Sequence, residues 1–315
     1  MRFTILLLIC ALMTGCSRHE PDQRIVLGFS QVGAESAWRQ ANTESIKSAA
    51  ATSNIKLLFS DAEQNQENQI AAIRDFIRQR VDVIAFSPVV ATGWDEVLTE
   101  ARAAGIPVIL TDRAVTSDPA LYAGFLGSDF VEEGRKAARW LVTQFDDSMA
   151  AVHIVELRGT PGSAPATDRK RGFEEILAQH PRFHIVRSES GDFSREGGKA
   201  AMDSILKSGE RPIHALYAHN DDMALGAIES LERAGLKPGV DVRIISIDAV
   251  RAAFEAMIAG KLNATVECNP LLGPQLMTSV TEVVAGRPIA KRIVVDEEAV
   301  FTADTARQLI QTRKY

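Results

Sequence analysis

The sequence predicts an α/β protein of two lobes, each a parallel sheet flanked by helices. Three observations carry this. From Arg24 onward, apolar runs of strand length alternate with amphipathic stretches of helix length, at a spacing of roughly 25 to 30 residues, the pattern of βαβ units. The alternation fills two successive blocks of about 100 to 140 residues, more than one sheet usually takes, so two lobes are expected. Four runs also stop on a polar side chain where the chain turns toward a helix. They end at Asp112, Asn220, Asp248 and Glu267.

In the first block, strands are expected near 24–30, 55–60, 81–87 and 106–111, with helices near 35–52, 66–80 and 94–104. The 66–80 stretch puts Ile70, Ile73, Phe76 and Ile77 on one face and Glu67, Arg74 and Arg78 off it. Gly105 stands where a helix closes in a left-handed turn, just ahead of Ile106 and Pro107. In the second block, strands are expected near 122–127, 151–157, 183–189, 214–219 and 243–247. The 234–239 stretch, Ala-Gly-Leu-Lys-Pro-Gly, stops a helix and turns. A last strand near 292–297 and a helix from about Thr302 follow.

A chain of 315 residues with 46% hydrophobic content can bury one large core or two modest ones. Its net charge of -6 argues against nucleic acid, which calls for Lys and Arg clustered on one face. Residues 1–16 read as an export signal: Arg2, the apolar run from Phe3 to Met13, then Thr14-Gly15-Cys16. Met-Thr-Gly-Cys resembles a bacterial lipobox that would place a lipid on Cys16. Met13 stands where Leu is usual, which leaves ordinary signal-peptidase cleavage open. Residues 17–23 are polar and read as a tether. The mature protein is therefore expected outside the cytoplasm, touching membrane only through that lipid. Cys268 would then be the one remaining thiol, and no disulfide could form.

Enzyme motifs are missing: there is no G-x-S-x-G, H-E-x-x-H, C-x-x-C or G-x-G-x-x-G. The 191–199 stretch imitates a phosphate loop, but Phe193 stands where its first Gly belongs and Ala200 replaces the Ser or Thr. The six His lack metal-ligand spacing. No enzyme, metal or cofactor is expected.

Binding chemistry is well supplied. Asp112 and Asp248 can accept from neighbouring hydroxyls, while Arg113 and Arg169 carry rigid donor forks. Asn220 donates and accepts. Trp38 and Phe193 offer flat faces for the C–H side of a sugar ring. Glu267, an acid in an apolar strand, needs a partner. Such groups in the crevice beyond the strands' carboxyl ends suit a polar, uncharged, hydroxyl-rich ligand. Plainer roles exist for each. Asp112, Asp248 and Asn220 would serve as helix caps, Arg169 in Arg169-Lys170-Arg171 as a solvated cluster, and Trp38 and Phe193 as core.

The motifs Gly28-Phe-Ser-Gln-Val-Gly-Ala-Glu-Ser-Ala-Trp-Arg39, Gln66-Glu-Asn-Gln-Ile70, Ser87-Pro-Val-Val-Ala-Thr-Gly-Trp94 and Thr111-Asp-Arg113 form a recognisable set. With them go Asp168-Arg-Lys-Arg-Gly-Phe173, Ser190-Gly-Asp-Phe193, Tyr217-Ala-His-Asn-Asp-Asp-Met223 and Ser246-Ile-Asp248. Through these motifs the chain resembles the periplasmic sugar-binding proteins of ABC importers, in the ribose- and galactose-binding class. Within that class it is most similar to the galactofuranose binders.

The resemblance implies the type I periplasmic binding protein fold with a three-strand hinge, its crossovers near 126, 269 and 297. One lobe would be 24–126 plus 270–297, the other 127–269 plus 298–315. Family roles fall on Asp112, Arg113, Arg169, Asn220, Asp248 and Glu267 as hydrogen-bonding groups. Glu35, Trp38 and Arg39 would line the pocket from the first lobe, and Phe193 would stack from the second. The implied function is capture of a monosaccharide, galactofuranose foremost, by a monomer that delivers it to an ABC permease and its ATPase. Two departures matter: Ala249 stands where the class usually has Gly, and Glu267 where ribose binders carry Gln. The same module serves as the effector domain of lactose-repressor-like proteins, but an export signal occupies the place of their helix-turn-helix. A sugar sensor signalling to a membrane receptor or kinase stays open.

Overall fold

The computed structural model describes residues 24–209, 212–295 and 299–315. Its first half carries β1 (Val26–Gln31), α1 (Ala37–Thr52), β2 (Lys56–Asp61), α2 (Gln66–Arg78) and β3 (Val83–Phe86). Then come α3 (Asp95–Ala103), β4 (Val108–Thr111) and β5 (Gly124–Gly127). The second half continues with α4 (Phe130–Val142), β6 (Val152–Arg158), α5 (Ala164–Leu177), β7 (Phe183–Ser190) and α6 (Arg195–Lys207). It goes on through β8 (Ala215–Ala218), α7 (Asp221–Arg233), β9 (Arg243–Asp248), α8 (Arg251–Ile258) and β10 (Ala264–Glu267). Last are α9 (Gly273–Val284), β11 (Arg292–Val294), β12 (Val300–Thr302) and α10 (Ala303–Leu309).

Two six-stranded sheets result, in the orders β11-β5-β4-β3-β1-β2 and β12-β10-β9-β8-β6-β7. The chain passes from the first sheet to the second after β5, returns after β10, and has β11 in the first and β12 in the second. β3 and β4 are buried at every position, because helices cover both faces of a parallel sheet. The expected stripe of α2 packs inward through Ile73 and Phe76. Gly28 on β1 admits this helix, since a Cβ there would stand 2.5 Å from the Phe76 ring.

Three expectations need correction. The strand read near 122–127 at the head of the second block belongs to the first sheet, paired with β4 on one side and β11 on the other. Only a 3-10 turn, Pro119–Leu121, joins it to β4, so no helical period ties it to either block. The run read near 292–297 forms strand only over Arg292–Val294, and residues 296–298 lie outside the described residues. The second sheet is not wholly parallel. β12 runs antiparallel to β10, a three-residue edge strand too short to show alternation in sequence.

Candidate functional site

The cleft between the halves is lined by Glu35, Ser36, Trp38, Arg39, Asp112, Arg113, Pro165, Arg169, Phe193, Asn220, Asp248 and Cys268. Its charged members are almost wholly buried: Arg39, Arg113, Arg169, Asp112 and Asp248 are each 2–4% exposed. In this closed arrangement only a ligand or trapped water can meet groups that the protein leaves free.

The first-half wall grows from the start of α1. Ser36 caps the helix by accepting from the Arg39 amide at 3.1 Å, which fixes the first turn and with it Glu35, Trp38 and Arg39. The Arg39 guanidinium reaches Asp112 Oδ2 at 2.7 Å and Glu35 Oε1 at 3.3 Å. Among the described residues Asp112 caps no helix. It leaves β4 at φ 59, a left-handed conformation that turns its carboxylate toward Arg39. Arg113 donates to the Val89 carbonyl at 3.0 Å and lies 5.2 Å from the Phe193 ring centroid, across the cleft.

The second-half wall is braced from outside. Arg169 on α5 donates from Nε to Glu133 Oε2 at 2.7 Å and from Nη1 to the His219 carbonyl at 2.6 Å. Its Nη2 stands 3.6 Å from Asp248 Oδ1. Asn220 does cap α7, accepting from the Met223 amide, and its Nδ2 donates to the Phe193 carbonyl at 3.0 Å. Asn220 therefore caps a helix and lines the cleft with one side chain. Phe193 lies so close to Gly159 that a Cβ there would sit 1.9 Å from its ring. The turn at Asp248 (φ 123) and Ala249 (φ 61) is left-handed at both residues. The class's Gly is explained by this geometry, and Ala249 occupies it without one.

Behind Arg169, Glu156 accepts from Lys170 Nζ at 3.0 Å, His219 Nε2 at 3.2 Å and the Ser188 hydroxyl. Burial alone would raise the Glu156 carboxyl, but these partners hold it down to about 2. Burial keeps His219 below its ordinary value and hence neutral, with Nε2 as its donor.

Burial, with Arg39 alongside, brings Arg113 down to about 10 against the pull of Asp112 and Glu35. Arg39 stays raised, because those same carboxylates outweigh its burial. Asp248 is pushed well up by burial. Arg169 opposes the shift, and Asp221, Asp222 and Glu133 add to it. Glu35 Oε2 and Arg113 Nε are buried without a hydrogen-bond partner, an acceptor and a donor of the kind a hydroxyl satisfies together. Among the described residues no group of three His, Cys, Asp or Glu could hold a metal.

Nine of the ten residues expected to bind ligand line this cleft. Glu267 does not. Its carboxylate takes Arg313 Nη1 at 2.8 Å and the Tyr315 hydroxyl at 2.9 Å, so the partner its position demanded is the protein itself. Sequence reasoning missed Ser36, Pro165 and Cys268, and also Glu133 behind Arg169. Ser36 ahead of a helix was a readable capping signal. Glu133, one of two adjacent acids on α4, gave none. Cys16 lies outside the described residues.

Two α/β halves that close a buried, charge-paired polar cleft define a solute-binding protein of the two-lobed type. The chain belongs to the periplasmic binding protein domain family, whose domain matches residues 27–288. It is 39% identical over 312 residues to the galactofuranose-binding protein YtfQ of Escherichia coli, covering 98% of each chain. It superposes with a TM-score of 0.90 on a Mycobacterium smegmatis structure in complex with β-D-fucofuranose, at 52% identity over 92% of this chain and 95% of that one. The arabinose-transporter binding protein of Shewanella sp. ANA-3, bound to α- and β-L-arabinofuranose, gives 0.87 at 44% identity over the same shares. Among the described residues no helix is long and apolar enough to cross a membrane.

Proposed function

We propose that this chain is an extracytoplasmic solute-binding protein that captures a monosaccharide in its furanose form, galactofuranose foremost, and delivers it to the permease and ATPase of an ABC importer. The observation that carries this is the lining itself. Its charges are already paired inside the protein, while Glu35 Oε2 and Arg113 Nε have no hydrogen-bond partner. A neutral polyol satisfies such a site; an ionic ligand would leave one of the paired groups uncompensated. The furanose preference rests on the relatives, which bind galactofuranose, fucofuranose and arabinofuranose.

In this reading Glu35, Arg39, Asp112, Arg113, Arg169, Asn220 and Asp248 hydrogen-bond the sugar, and Trp38 and Phe193 pack on its apolar face. Residues 24–126 plus 270–297 and residues 127–269 plus 298–315 are the two lobes. Neither wall alone surrounds a ligand, so binding favours the closed state by its differential affinity for it. The protein works without turnover of its ligand and as a monomer, and a lipid on Cys16 tethers it.

Calorimetric titration of the chain lacking residues 1–16 tests the reading, with D-galactose, D-fucose, L-arabinose and D-ribose solutions whose furanose fractions are set by equilibrium. Saturable heat with a sugar rich in the preferred furanose, abolished in Asp112→Ala and Arg169→Ala, is the expected result. Binding unchanged in both variants would reject this site, and silence with every sugar would reject the ligand class.

A further inference from the structure

The Asp248–Ala249 turn has no intrinsic reason to persist. Both residues have positive φ, 123 and 61, in a region that side chains disfavour, and Ala249 lacks the freedom of glycine. Such a backbone is kept only where its surroundings over-determine it. Here the Ala249 amide donates to Thr265 Oγ1 at 3.1 Å, and the Val250 amide to Asp221 Oδ2 at 2.8 Å. The remaining holds come from a distant segment. Arg313 Nε donates to the Ala249 carbonyl at 2.6 Å, and the Arg251 amide donates to the Tyr315 main-chain oxygen at 2.7 Å.

That segment is itself pinned. Glu267 Oε1 accepts from Arg313 Nη1 and from the Tyr315 hydroxyl. The Arg313 guanidinium lies over the rings of Tyr315, Phe254 and Phe301 at 4.1, 5.0 and 5.3 Å. Arg313 is thus a planar bridge between β10, through Glu267, and the turn that ends β9. An arginine fork suits this task, since two of its edges donate at fixed angles to two separate acceptors.

We propose that Glu267, Arg313 and Tyr315 form a clamp, outside the cleft, that positions Asp248 for the ligand by holding the strained turn after it. Glu267 is then a positioning residue and not a ligand contact. The clamp rests on the sugar-binding reading for its purpose, but its action on the turn can be measured without any sugar.

The experiment compares the chain lacking residues 1–16 with Arg313→Gln, Glu267→Gln and Arg313→Gln combined with Ala249→Gly. Titration with D-galactose, D-fucose and L-arabinose and hydrogen exchange at the Val250 and Arg251 amides are read side by side. Loss of the clamp weakens sugar binding about ten-fold, a 1.4 kcal/mol step, and speeds exchange at both amides. Ala249→Gly removes the steric objection to a positive φ, so it restores most of the affinity and the Val250 protection. A loss due only to general destabilisation would not be repaired by that one substitution. Wild-type affinity and protection in both single variants overturn the clamp. So does a loss that Ala249→Gly leaves untouched. If Arg313→Gln fails to fold, Glu267→Gln, which keeps the side-chain shape, decides between the two outcomes. If the wild type binds none of the sugars, the ligand reading fails, and the exchange rates still decide for or against the clamp.

Discussion

In the first half of the cleft, Arg39 and Arg113 share Glu35 and Asp112, and all four residues line it. In the second half, Arg169 is held by Glu133 and by the His219 carbonyl, neither of which lines the cleft. One wall balances its charge within the site. The other is aimed from behind, by a carboxylate at no exposure, a buried Glu156–His219 pair joined by the partly exposed Lys170, and a strained turn. The difference predicts how each wall fails. Removing a member of the first wall strands its neighbours as buried charge, whereas removing a brace of the second misdirects an arginine that is still present.

Asp112→Ala gives the largest effect. It leaves two buried arginines with Glu35 alone, so about 3–5 kcal/mol of stability is lost together with sugar binding. Thermal unfolding and calorimetric titration check this; a variant that keeps its melting temperature would show that the first wall is not charge-balanced from within.

The Glu156 network comes next. Its folded-state value of about 2 lies below the ordinary 4.5, so the stability it adds is complete above the ordinary value and disappears as pH falls toward about 2. The contribution is about 3 kcal/mol at neutral pH. Melting curves from pH 7 down to pH 2 should fall steeply in the wild type and less so in Glu156→Gln. Parallel curves for the two proteins would place the acid sensitivity elsewhere.

Glu133→Gln is expected to lower affinity through Arg169 alone. An ion pair becomes a hydrogen bond in which Arg169 alone is charged, at a cost of about 1.5–3 kcal/mol. The comparison of walls requires that this variant still bind sugar, weakly, where Asp112→Ala does not. Equal loss in both would erase the distinction. Phe193→Leu is the mildest. It keeps an apolar face but loses the ring that lines the cleft beside Arg113, worth about 0.5–1.5 kcal/mol. Titration should show a shift of ten-fold or less, and a complete loss would mean that Phe193 holds the cleft together and does not merely pack on the sugar.

The sequence already showed where the cleft's polar groups arise, because Asp112, Asn220 and Asp248 each end an apolar run and strand ends face the ligand in such folds. The same rule misplaced Glu267. Its strand is next to the edge of the sheet, where β12 and the segment after α10 cover it, and a polar residue there meets that segment instead of the cleft. Glu133 was illegible for a different reason. An acid on an amphipathic helix looks like any solvated charge, and only the packing of α4 against α5 brings it under Arg169.

What the sequence determined by itself was the local grammar: the alternation of strand and helix, the stripe of α2 and the polar strand ends. These depend on neighbours within a few residues, and spacing reports them faithfully. The tertiary structure alone decided that β12 runs antiparallel, that Arg169 is braced by Glu133, and that Arg313 reaches back to Ala249. Each of those links groups far apart in the chain, whose encounter is settled by which buried surfaces and hydrogen bonds can be satisfied together. No periodicity in one stretch of sequence carries that information.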